Sequence, residues 1–462
     1  MASPQIPRPP VLRQGSEGVT PSNLEMNNTI PSSPEDILTH NPGDHPPTIA
    51  PSLTPPLSWK TKCQLFSACL MNLGNGMNDS APGALLPSLE QDYHINYATV
   101  SLIFIANAVG FILAAPLTHT LSTKLGRRNS YILSLGLIAL SYVVIACHPP
   151  FPAVVVAFCG LGFGMAMNLA LNSVFCANLG NATTTALGCF AGAYGVGGVV
   201  APLFATAMVT AGVRWSYFYV ITLGLAVVNG GVAGWAFDNF EETSLSTSIL
   251  GEGGQEEEAV NEAPGGGRME VLKLAVKNRT TLLGALFIFA YVGAEVSVSG
   301  WVVSFLINYR GGDPSRVGYV SAGFWAGITL GRFLLVYPAH RVGEKISVGL
   351  MVVGAIGFQL LTWLIPNIVG EAVAVAVLGV LLGAVFPCAT AVFTRLLPRN
   401  IQISSLSFVT ALGSSGGAVF PFLTGLVAQD VGTMVLHPVC LGLYAVMTAS
   451  WCFLPKMVKR SD

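Results

Sequence analysis

The chain has 462 residues, of which only 10% are charged and 52% are apolar. Soluble domains carry about 25% charged residues, so this composition excludes a soluble protein. A net charge of −1 offers no basic field to nucleic acid. What remains is a polytopic membrane protein with the lipid bilayer as its solvent.

Residues 1–58 hold thirteen of the 29 prolines, interspersed with Ser, Thr and Asn. No apolar face there offsets the entropy of ordering, so this segment is predicted to be a disordered cytoplasmic tail. From Trp59 onward the chain is a train of apolar runs, each long enough to cross ~30 Å of hydrocarbon. Twelve transmembrane helices are predicted, at 62–88, 97–120, 129–148, 152–176, 185–211, 214–236, 279–308, 315–338, 346–365, 369–394, 402–428 and 433–454. The fold class is therefore all-α. A six-helix bundle over 59–237 precedes a polar cytoplasmic linker, 238–278, which carries Glu256, Glu257 and Glu258. A second six-helix bundle over 279–455 ends in a short C-terminus, 456–462.

Orientation follows from Lys and Arg, which favour the cytoplasmic side. With both termini in the cytoplasm, 18 of the 22 basic residues fall inside and three, Arg214, Arg310 and Arg316, fall outside. Arg332 lies within a span. The plasma membrane is the default location, and a monomer the expected form.

Nine cysteines are scattered without a CxxC pair and read as packing residues. The seven histidines have no metal-ligand spacing, so no metal and no cofactor are expected. Gly265–Gly267 lacks the Lys-Ser/Thr of a phosphate-binding loop, which leaves ATP-driven pumping unsupported. No Ser/His/Asp or paired-acid grouping suggests an enzyme.

The second half echoes the first. Gly110/Gly327, Gly126/Gly343, Leu113/Leu330 and Leu117/Leu334 match at an offset of 217, as do Gly76/Gly293, Ser80/Ser297 and Gly83/Gly300. Gly160/Gly379, Gly164/Gly383, Gly197/Gly416 and Pro202/Pro421 match at 219. Two repeats in the same orientation are an architecture of secondary transporters, with the binding site at the repeat interface near mid-membrane.

The loop Lys124-Leu125-Gly126-Arg127-Arg128 is similar to the loop signature of the major facilitator superfamily, although Thr123 stands at the signature's acidic position and His119 at its leading glycine. The glycine-rich fifth span, from Gly188 to Pro202, resembles the family's fifth helix. Tyr291-Val292-Gly293-Ala294-Glu295 with Trp301, and Gly327-x3-Gly331-Arg332, resemble a branch containing the fucose/sugar–proton symporters and uncharacterised fungal relatives. The resemblance covers about 59–455 and implies two six-helix bundles working by alternating access, with spans one, four, seven and ten lining a central cavity. The sugar–proton relatives carry an acid in span four; Gly160–Asn168 has none, which shifts weight to Glu295.

A charge in hydrocarbon is costly, so ionisable residues in mid-span are functional candidates. Three qualify: Asp79, Glu295 and Arg332. The two acids sit at matching depth in spans one and seven. A carboxylate taken out of water favours its neutral form, so such a group can take up a proton on one side and release it on the other. Asp79 and Glu295 are the expected proton-coupling and substrate-recognition groups; bridging polar groups between helices is the competing role.

Asn72, Asn75 and Asp79 lie on one helical face, as do Asn168 and Asn172, and Tyr291, Glu295 and Ser299 form an i, i+4, i+8 stripe. With Tyr194 they either line a cavity for a hydroxyl-bearing solute or tie helices together. Arg332 either snorkels to the cytoplasmic edge or forms a structural or gating ion pair. Lys124, Arg127, Arg128 and Arg341 either contribute to an inward gate or express positive-inside topology.

The expected function is a secondary active transporter of a small organic solute, sugar-like or another metabolite, driven by protons. Efflux of a secondary metabolite or drug is an alternative; so is a non-transporting membrane sensor or receptor on the same scaffold.

Overall fold

The computed structural model describes residues 58–179, 182–238 and 273–455. The expected tail, most of the linker and the C-terminus lie outside these residues. The described residues form helices and short connections, with no strand among them. In chain order the helices are α1 (Trp59–Tyr93), α2 (Tyr97–Val100), α3 (Leu102–Ala146), α4 (Phe151–Ala177), α5 (Thr183–Thr210), α6 (Phe218–Ala236), α7 (Arg279–Asn308), α8 (Pro314–Val317), α9 (Tyr319–Leu334), α10 (Val336–Val342), α11 (Glu344–Leu364), α12 (Ile368–Leu396), α13 (Arg399–Val431) and α14 (Leu436–Cys452).

Several helix starts are written locally in the sequence. Asn278 Oδ1 accepts from the N–H groups of Thr280 and Thr281 at the start of α7, at 2.9 and 3.3 Å. Asn367 does the same for Val369 and Gly370 at the start of α12, at 3.0 and 3.1 Å. Such caps satisfy backbone donors that the helix leaves open.

Nine helices among the described residues are long and apolar enough to cross a membrane, or ten if Pro314–Leu334 and Val336–Val342, bent by 46°, form one span. The expectation of twelve differs from this count in two places. Tyr97–Ala146 counts as one stretch of 50 residues, although Gly126, at φ 76° and ψ 165°, breaks the helical backbone inside it. Helix α1, whose middle carries Asn72, Asn75, Asn78 and Asp79, is not among the nine.

The repeat seen in the sequence reappears as contacts. Helix α1 packs on α5 and α3 on α4; correspondingly, α7 packs on α13 and α9 on α12. A Cβ at Gly110 would meet the Cys159 carbonyl and the Phe163 amide, and one at Gly327 would meet the Ala376 carbonyl and the Val380 amide. All three positions correspond at offset 217. Gly162 lies on the Asn107 carbonyl and Gly379 on the Phe324 carbonyl, again 217 apart in both partners. This corrects the pairing of Gly160 with Gly379, because Gly160 instead meets the Ser141 hydroxyl. Helix α4 has glycines at 160, 162 and 164, so small residues alone match in either register; only backbone contact picks one. Gly126 and Gly343, also 217 apart, both have positive φ, 76° and 109°, a region that favours glycine.

The two ends of the bundle differ. At the end near 94 and 310, side chains and backbone of the two halves meet. Tyr97 packs edge-on against Trp301 at 5.8 Å, Gly300 lies against the Phe104 ring, Gly425 against Ser101, and Gly318 against Thr206. At the end near 126 and 343, charged groups bond within their own half. Arg128 meets Asp238 at 2.7 Å, and Arg395 makes two bonds to Glu344, at 3.0 and 2.8 Å. Large apolar side chains such as Val156, Val228, Leu350 and Val353 point outward, as a hydrocarbon solvent permits.

Candidate functional site

Helix α1 carries Asp79 at its middle, one turn before Pro82. Tyr194 on α5 donates its hydroxyl to Asp79 Oδ2 at 2.8 Å. The approach depends on two glycines: Gly76 lies on the backbone of Tyr194, and Gly197 lies on the backbone of Leu73. Side chains at either place would hold α1 and α5 apart and break the bond.

Glu295 on α7 is buried, at 8% exposure. It lies close enough to Asp79 for the two charges to interact. Arg332 on α9 acts on Glu295, on Tyr291 and on Tyr194. The site therefore gathers α1 and α5 from the first half, and α7 and α9 from the second. Two carboxylates and one guanidinium in a poorly solvated space leave one uncompensated negative charge unless one carboxyl holds a proton. The ring of Trp325 packs edge-on against Tyr194 at 5.9 Å, and its indole N–H donates to Ser299 Oγ at 2.8 Å. Ser299 thus belongs to the junction of α7 and α9, where its carbonyl also meets Gly83 of α1.

The asparagines are placed differently. Asn72 donates to the Phe190 carbonyl at 2.7 Å, and Asn75 to Asn72 at a long 3.5 Å. Asn168 accepts from Ser134 at 2.8 Å. Asn172 accepts from Tyr131 at 2.8 Å and donates to the Met71 sulfur at 3.2 Å. All lie inside the first half, and apart from the Asn75–Asn72 bond within α1 they are interhelical. Asn75 and Asn168 also border a cavity of about 20 Å³ there, the scale of a single water site.

The basic residues near Gly126 and Gly343 also bond within their halves. Arg127 donates to the Leu171 carbonyl at 2.9 Å. Arg341 donates to the Tyr337 hydroxyl at 2.5 Å and lies over its ring at 4.9 Å. Lys124 is exposed.

Sequence reasoning missed four features. Tyr444 on α14 is fully buried and registers the Glu295 charge. Glu344 is buried and also meets His340 Nδ1 at 2.6 Å; its signal was the Gly343-Glu344 pair opposite Gly126-Arg127, which is the repeat with its charge reversed. Arg310 Nε meets the fully buried Glu371 at 2.5 Å, and Nη2 donates to the Trp363 carbonyl at 2.6 Å. Finally, a cavity of about 390 Å³ opens between α9–α10 and α12, lined by Arg332, Phe333, Tyr337, His340, Glu344 and Cys388. That volume lies in the range of small-molecule sites, about 300–1,000 Å³.

A helical membrane bundle with an internal repeat and a charged centre shared by both halves has the form of a secondary transporter. The chain belongs to the Major Facilitator Superfamily, whose model matches residues 68–421; it is a transporter, not an enzyme. It is 29% identical to "Bypass of stop codon protein 6" of Saccharomyces cerevisiae over 88% of this chain and 86% of that protein. It is 28% identical to a glucose/galactose transporter of Brucella abortus, over 33% of this chain and 37% of that one. In fold it is similar to the nucleoside transporter NupG (TM-score 0.66, 13% identity, 86% of this chain and 100% of that one). It is equally similar to a D-xylose-proton symporter (TM-score 0.66, 15% identity, 86% of this chain and 98% of that one).

Proposed function

We propose that this protein is a proton-coupled transporter of a small, hydroxyl-bearing organic solute, with Asp79 and Glu295 as the carboxylates that couple proton to solute. The observation that carries this reading is the meeting of Asp79 and Glu295, from different halves, within charge range of each other, with Arg332 in the field of Glu295. A group shared between two moving bodies changes its hydration when the bodies rock, and with it its hold on a proton. Tyr194, Tyr291 and Arg332 offer donors, and the carboxylates offer acceptors, for solute hydroxyls. Relatives named for glucose/galactose, D-xylose and nucleoside transport support a polyhydroxylated solute, as does the resemblance to the sugar–proton branch.

In this reading the chain crosses the membrane twelve times as two six-helix bundles, in the plasma membrane, with both termini cytoplasmic. The end near 94 and 310 then faces outside, and the described state is closed there.

The test uses purified full-length protein in liposomes, with radiolabelled D-glucose, D-galactose, D-xylose and uridine as probes. Accumulation of a probe driven by a proton gradient is expected for the wild type, and its loss in Asp79→Asn and Glu295→Gln. Gradient-driven accumulation persisting in both variants overturns the assignment.

A further inference from the structure

Glu90 lies near the end of α1, two residues past the expected first span, and the central site makes no use of it. Its Oε1 is buried and has no hydrogen-bond donor among the described residues. Its backbone carbonyl closes the helix, accepting from the N–H groups of His94 and Ile95. The titratable group that registers the Glu90 charge is Tyr97, on α2. Tyr97 in turn packs against Trp301 of α7, whose indole N–H donates to the Pro421 carbonyl of α13 at 2.9 Å. Glu90 is therefore one side chain away from the seam where the two halves meet. Of the other ionisable groups at this end, His94 is exposed, Arg316 lies 3.9 Å from Asp313, and the rest engage partners of their own. Asp92 binds His148 and Trp215 at 2.6 and 2.7 Å, with Arg214 in its field, and Arg310 binds Glu371. The seam itself offers rings, Gly300, Gly318, Gly425 and two hydroxyls, none of them a cation.

Glu90 is half-buried, with Oε1 shut off from water and no counter-charge facing it, so ionisation is costly and the neutral acid costs less. Opening the seam admits water and removes that penalty. Proton binding and seam closure are then linked, each favouring the other by the same free energy. We propose that Glu90 is a second protonation site of the transport cycle, which holds the seam at the 94/310 end closed while its carboxyl carries a proton and lets it part when the proton leaves. The inference rests on the alternating-access reading, but on neither the identity of the solute nor the roles of Asp79 and Glu295.

The sign follows directly. The closed form binds the proton more tightly, so low pH favours closure and rising pH favours opening. The test is a distance between spin labels on the full chain in lipid nanodiscs, placed by Gln91→Cys and Arg316→Cys, with the exposed Cys147, Cys189 and Cys452 changed to Ser. Across a titration from about pH 5 to about pH 9, a span that brackets burial-shifted carboxyls, the otherwise wild-type chain should shift from a short to a long distance. Glu90→Gln should stay short throughout, and Glu90→Asp should keep the transition at a displaced midpoint. A Glu90→Gln chain with the original transition overturns the proposal. So does an absence of any transition in the Glu90-containing chain. Should Glu90→Gln fail to fold by thermal melt, Glu90→Asp decides alone, and an unchanged midpoint overturns it. Solute flux without proton movement would defeat the proposed coupling and leave this result standing. Proton-coupled flux with a pH-independent distance would defeat only the role of Glu90.

Discussion

The two ends of the bundle are held by different chemistry. Near 94 and 310 the halves touch each other through rings, small residues and backbone: Tyr97 on Trp301, Phe104 on Gly300, Ser101 on Gly425. Near 126 and 343 the strong bonds stay inside each half: Arg128 with Asp238, and Arg395 and His340 with Glu344. Contacts of the first kind can part without leaving a charge unpaired, whereas contacts of the second kind make each half a rigid body. A seam that opens between two bodies that do not deform is what domain rocking needs.

The largest effect expected from breaking this pattern is at Arg310. It pairs with a carboxylate of 0% exposure, and removing one partner of a buried pair costs about 3–5 kcal/mol. Arg310→Ala should lower the melting temperature strongly, while Arg395→Ala, at a side chain 49% exposed whose buried partner Glu344 keeps His340, should lower it less. Equal losses would remove the distinction between a buried pin and a surface clamp.

The repeat gives the next prediction. Gly110→Ala and Gly327→Ala each drive a Cβ into a backbone carbonyl, and overpacking of this kind costs about 1–3 kcal/mol. The two losses should match in melts of purified protein, because the contacts correspond residue for residue. A large difference between them would show that the halves are not packed alike.

Smaller is the effect of Arg128→Ala, where both partners are about half exposed; the melt should barely move. At the end near 94 and 310, burial raises the Asp92 carboxyl, but hydrogen bonds from Trp215 and His148 outweigh it and hold it below its ordinary value. A lowered folded-state value gives stability that is present above the ordinary carboxylate pKa and fades as pH falls through the lowered one. Melts taken down through the acid range should therefore fall more steeply for the wild type than for Asp92→Asn; parallel curves would contradict this.

Much of this was readable in the chain. Asp79 and Glu295 stood out because a charge inside an apolar run is rare, and the structure brings them within interacting range. The repeat was readable as well, yet the glycines of α4 allowed two registers, and the contacts of Gly162 with Asn107 and of Gly110 with Cys159 and Phe163 separate them. The faces carrying Asn168 and Asn172 could be seen, but not their partners Ser134 and Tyr131, because hydrogen bonds between helices depend on rotation and distance that periodicity does not carry. Glu90, Glu344 and Glu371 stayed hidden because charges at span ends are ordinary. Tyr444 stayed hidden because a tyrosine in an apolar run gives no signal.

The central claim is that Asp79 and Glu295 couple a proton to solute movement. It is tested most directly by comparing gradient-driven accumulation with solute exchange at equal pH in the same liposomes. For a probe the wild type accumulates, Glu295→Gln should lose the accumulation and keep the exchange, since binding and rocking survive while the proton step does not. A Glu295→Gln protein that still accumulates the probe against its gradient, with the pH dependence of the wild type, would contradict the claim.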